Sequence, residues 1–177
     1  MLLSSAICDT VTLSTHQFIV FLAIGLVCMA AAIYFLFRPR FPAAIAAYIG
    51  MIMLHVSTYI FLTTNALIFW GCASLIVGLL HMMLPKGEPA ASKASNRYIA
   101  LAGLAGMAVG LAVHPNFMVI GCILGCFLGL FAYTRTPYGS WLKFPTFTFI
   151  QYFCAKGLPA IVAIAIIGIA LEGFLIK

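Results

Sequence analysis

Phe18–Phe37 reads FIVFLAIGLVCMAAAIYFLF and is followed at once by Arg38-Pro39-Arg40. A helix needs about 20 apolar residues, at about 1.5 Å of rise each, to cross the hydrocarbon core of a bilayer. This run has that length. Proline ends it and the two arginines anchor its end among headgroups. The stretch is therefore a membrane-spanning helix with a basic stop, and the rest of the chain repeats the pattern.

Working outward, six long apolar runs lie between Gln17 and Lys177, and the basic residues fall in alternate gaps. Arg38 and Arg40 follow the first run, Lys86, Lys93 and Arg97 the third, and Arg135 and Lys143 the fifth. The gaps around Leu62–Asn65 and His114–Asn116 carry neither Lys nor Arg. This is the positive-inside pattern of a polytopic inner (plasma) membrane protein, and it implies that both termini lie outside. Composition agrees: 65% hydrophobic residues, 7% charged residues and a mean hydropathy of +1.19 exclude a soluble globule. The net charge of +6 sits in short gaps rather than in a groove, so it implies topology and contact with anionic membrane lipids, not nucleic acid. Met1–Gln17 has no Lys or Arg to make the basic region of a secretory signal.

The fold class expected is all-α, a polytopic protein of about six transmembrane helices forming a single domain over residues 1–177. Phe41–Phe61 is the second span, with Pro42 tolerated in its first turn, and Ala66–Leu84 is the third. Residues 85–97 read as a polar linker between two three-helix halves. Tyr98–Val113 and Phe117–Tyr133 form a short glycine-rich hairpin. Spanning is preferred, since tilt and local thinning accommodate short helices; a re-entrant hairpin would return the chain to the same side. Residues 145–156 read as an interfacial helix, which keeps Lys156 out of hydrocarbon and leaves Gly157–Ile176 as the last span.

Gly121-x3-Gly125-x3-Gly129 places glycine along one helix face, a glycine zipper that lets another backbone come close. Ala102-x3-Gly106-x3-Gly110 offers the matching surface on the preceding run. The expected use is packing within the hairpin, with a homo-oligomer seam or flexible gate as the alternative. Leucine at 125 should separate the helices, alanine should be intermediate, and leucine at Gly168 should be milder. His55 is the ionisable residue expected inside a span, either bonded to a nearby hydroxyl such as Ser57 or Thr58 or lining a path. Pairing His55 with His81 around a haem fails because their depths differ. Copper at Met51, Met53 and His55 fails because residues two apart point to different helix faces. The six cysteines form no C-x-x-C and read as packing thiols, Cys8 alone lying outside the bilayer. Catalytic, metal and cofactor sites are therefore not expected, and neither is a catalytic activity.

The Pro39-Arg40-Phe41-Pro42 segment with Gly50, the small-residue helices Ala102–Gly110 and Gly121–Gly129, and Lys156-Gly157 together resemble a family of small bacterial membrane proteins. That family is built from paired glycine-zipper helices and classed as a domain of unknown function. Where its members carry proline, alanine and a closing glutamate, this chain has Cys126, Leu130 and Thr134, so a role for that acid does not transfer. The resemblance implies an inner-membrane protein and no established activity. The functional expectation is a protein working through helix packing, as a homo-oligomer or as a subunit beside a membrane-protein partner. The alternative is a small transporter or channel with a path near His55 and the glycine hairpin.

Overall fold

The computed structural model describes residues 15–38, 41–83 and 89–175. These form α1 (Thr15–Phe37), α2 (Ala43–Val56), α3 (Thr64–Met83), α4 (Pro89–Val113), α5 (Met118–Thr134), α6 (Phe147–Tyr152) and α7 (Leu158–Leu175). A π-helical turn, Phe153–Gly157, joins α6 to α7, so Phe147–Phe174 is one continuous helix of 28 residues. The fold is all-α, and no strand occurs among the described residues.

Among the described residues, four helices are long and apolar enough to cross a membrane: His16–Phe37, Thr64–Met83, Lys93–Val113 and Phe147–Phe174. The chain is a multi-pass membrane protein. The last of these helices is the axis. Its apolar stretch is 78% buried, against 22% for the first, and Ala163, Ile164, Ala165 and Ile166 have no exposure at all. A helix apolar on every side is at home either in lipid or inside other helices, and this one takes the second place. Here α1 through α5 all pack against α7. The remaining helices form the α1–α2 hairpin, the lone α3 and the α4–α5 hairpin, wrapped around that axis. One end of the bundle carries Arg38, Lys93, Arg97, Arg135 and Lys143; the other carries the α2–α3 and α4–α5 turns and Glu172.

Three boundaries differ from the sequence expectations. The segment taken as a linker is helical from Pro89 onward, because proline at a helix start loses nothing and Ala90, Ala91 and Ala94 favour helix. That lengthens α4 to 25 residues and makes it a full span. In contrast, α2 stops at Val56: Ser57 donates its hydroxyl to the Leu54 carbonyl, and Thr58 takes a left-handed φ of 56°, which ends the helix. Finally, residues 147–152 do not form a separate interfacial helix but run on into the axis.

Candidate functional site

Proline at position 159 of the axial helix starts the chain of causes that builds the site. Proline has no N–H, so the Ala155 carbonyl, one turn earlier, loses its ordinary donor. The backbone widens there: Leu158 N–H reaches back to the Phe153 carbonyl, and Phe153–Gly157 becomes π-helical. His81, in the last turn of α3, brings Nδ1 to 3.4 Å from the Ala155 oxygen. A carbonyl only accepts, so Nδ1 carries the proton in this long bond.

The same wide turn holds Lys156, which is only 4% exposed. Beside it, Asn96 of α4 donates Nδ2–H to the Leu36 carbonyl at 3.3 Å. Leu36 belongs to the last turn of α1, where carbonyls have no helical donor, so Asn96 caps one helix from another. Ser95 and Tyr152 share a 2.6 Å hydroxyl–hydroxyl bond one step further round. His81, Asn96 and Lys156 line a cavity of about 20 Å³, the room one water needs. The Oδ1 of Asn96 is buried there without a hydrogen-bond partner among the described residues, as is Ser74 Oγ two turns deeper on α3. Oδ1 can only accept, so whatever satisfies it in this cavity must be a donor.

The level of Lys156 reconciles two sequence arguments. Phe147–Phe174 is about 42 Å long at 1.5 Å per residue, well beyond a hydrocarbon core of about 30 Å. Lys156 lines the same cavity as Leu36 and His81, both in the last turns of their helices. It therefore lies near the basic end of the bundle, as expected, but inside the protein rather than on an interfacial surface.

His55 sits in the last turn of α2, at the opposite end from His81. It meets no hydroxyl partner of the expected kind. Its Nδ1 lies 3.0 Å from the Ile60 carbonyl and 3.4 Å from the Leu62 nitrogen, so the ring ties down the turn that follows α2. With Nδ1 donating to the nearer Ile60 carbonyl it has no lone pair for the Leu62 N–H, so the Ile60 contact is the hydrogen bond. Because α2 spans only about 21 Å at 1.5 Å per residue, this turn begins at membrane depth, where backbone groups must be satisfied within the protein. His55 and Ser57 do that work.

The small-residue stripes meet each other. A Cβ on Gly106 would strike the carbonyl oxygen of Gly121, and one on Gly121 would strike that of Gly106. Gly125 faces the carbonyl of Ala102, Gly129 that of Tyr98, and Gly110 that of Phe117. Cys122 and Cys126 are buried thiols in this packing, Cys126 against Gly103. No group of three or more His, Cys, Asp or Glu able to hold a metal occurs among the described residues. Cys8 lies outside them.

Sequence reasoning placed Ser95 and Asn96 in a linker and considered His81 only as a haem ligand. The signal that could have found the cluster is Pro159 within an apolar run, which leaves a carbonyl in need of a donor. No family model, no curated protein and no solved structure matches the chain. Fold and site together define a multi-pass α-helical membrane protein with a small buried polar cluster at its basic end.

Proposed function

We propose that this is a non-enzymatic protein of the bacterial inner membrane, with both termini outside, that works through helix packing as a subunit of a membrane complex or small assembly. The observation that carries the reading is the filled centre. Alanine and isoleucine of α7 occupy the axis at zero exposure, and the cavity at the polar cluster has room for one water. The α4–α5 stripe acts as a glycine zipper inside the chain, so a partner would meet another face. The outer face of α3, with Phe69, Leu75, Ile76 and Leu79 each about 60% exposed, is one candidate. Mass measurement of the protein released from native membranes into nanodiscs tests this: a defined complex is expected, and a monomer throughout would end the proposal.

The buried Lys156–His81–Asn96 cluster favours one second reading, a small transporter whose polar path runs at this cluster rather than near His55. Proteoliposomes loaded with a pH dye separate the two. Proton or anion flux lost in Lys156→Met would establish transport and displace the packing role.

A further inference from the structure

A second concave site lies on the outside of the basic end, apart from the buried cluster. Lys93 and Arg97, one turn apart on α4, face Tyr138 across a cavity of about 290 Å³ floored by Ala94. Its two walls belong to different elements and are tied together. Tyr133 of α5 donates its hydroxyl to the Tyr138 carbonyl at 3.0 Å and lies against Tyr98 of α4, ring centroids 6.0 Å apart. Successive turn bonds, Gly139 N–H to Thr136 and Leu142 N–H to Gly139, bring Leu142 back into the core at 1% exposure. The loop that presents Tyr138 is thus held in place before any ligand arrives.

The face that begins with the two cations continues as Leu101, Leu104 and Ala108, with Leu101 and Ala108 exposed and Leu104 half-buried. At 3.6 residues per turn these positions stay within about 40° of Arg97 along one helix face. Two positive charges at headgroup level, then an uninterrupted apolar strip running toward the far end, match the shape of a single phospholipid. Lysine and arginine recognise phosphate oxygens by charge-assisted hydrogen bonds, and a tyrosine hydroxyl can add a donor. Among the described residues the one carboxylate, Glu172, lies at the other end of the bundle.

We infer that Lys93, Arg97 and Tyr138 bind the phosphate of an anionic phospholipid whose acyl chain lies along Leu101, Leu104 and Ala108. The inference depends on the membrane-spanning fold and goes beyond the packing role. The shape decides for a lipid over a free phosphate ion, since an ion would make no use of the apolar strip.

The test is native mass spectrometry of the full chain with added phosphatidylglycerol or phosphatidylcholine. Phosphatidylglycerol should be retained preferentially. Lys93→Gln and Arg97→Gln should each weaken retention about fivefold, the effect of one cation near an anionic headgroup. Lys143→Gln, which removes the same charge from the same end but lines no part of the cavity, should leave retention unchanged. Both cations are exposed, so the variants should keep the wild-type elution volume. Equal loss in Lys143→Gln would reduce the effect to bulk charge and overturn the site. Displacement of the lipid by millimolar inorganic phosphate would overturn the lipid in favour of an ion site. Equal retention of phosphatidylcholine would overturn the anionic preference.

Discussion

His81 matters to Ala155 only because residue 159 is proline, and that dependence can be measured. His81→Ala removes the donor from a buried carbonyl, at a cost of about 1–3 kcal/mol. Pro159→Ala returns an N–H to the helix and should let the turn close to ordinary α geometry. In that background His81→Ala should cost clearly less, giving a coupling energy in a four-protein cycle of denaturant titrations in detergent. Costs that add within about 0.5 kcal/mol would mean that the 3.4 Å contact contributes nothing. At the other end of the bundle, His55 makes a sharper prediction than its burial alone suggests. Asparagine places its amide nitrogen near where Nδ1 lies, so His55→Asn should keep the bond to Ile60 and remain near wild type. His55→Ala should loosen residues 57–63 and lower stability by about 1 kcal/mol, with proteolysis rising at that turn.

At the scale of elements, the α4–α5 hairpin tests how close two backbones can come. The sequence expectation was that alanine at 125 is intermediate, because one methyl should fit. The geometry keeps that order but changes the reason, because the new Cβ would meet the backbone carbonyl of Ala102, which cannot swing aside as a side chain can. Gly125→Ala should therefore already cost about 1–3 kcal/mol, the range for overpacking, and Gly125→Leu more. Gly50 provides the contrast within the same protein. A Cβ there would lie 3.1 Å from the Gly25 carbonyl and 3.2 Å from side-chain atoms of Cys28 and Met29, so alanine should be milder. At Gly168 a Cβ would meet the sulfurs of Met118 and Met107, flexible side chains rather than backbone, so a milder effect than at Gly125 is still expected there. Thermal unfolding of the two alanine variants should rank Gly125 below both Gly50 and wild type. If Gly125→Ala melted with wild type, the hairpin would not depend on close backbone approach. The stripe itself was legible in the sequence because glycine spacing along a helix is a local property. The partners of Gly168 were not, since they lie on helices distant in sequence. The end of α2 at Ser57–Thr58 and the start of α4 at Pro89 rest on local residues, but those residues also suit a longer span and a polar linker.

Seen whole, the molecule separates its charges by end, and that separation carries the last prediction. Arg38, Lys93, Arg97, Arg135 and Lys143 all lie at the end where α1, α3 and α5 finish and α2, α4 and α6 begin. The charge pattern was readable from sequence alone, because apolar runs alternate strictly in direction and each gap declares its side. What the sequence could not show is that the axis is the last helix, since being apolar on every side says that a helix is buried but not what surrounds it. Short loops rich in Lys and Arg remain on the cytoplasmic side during insertion. In a background with Cys8 replaced by serine, cysteine at the exposed Ser140 should stay protected from a membrane-impermeant thiol reagent in intact cells and react after lysis. Cysteine at Asn116, in the turn between α4 and α5, should react in intact cells, because α4 is long enough to carry the chain across. The reverse pattern would invert the protein. Protection of both sites until lysis would make the α4–α5 hairpin re-entrant, which would contradict the 21-residue span from Lys93 to Val113.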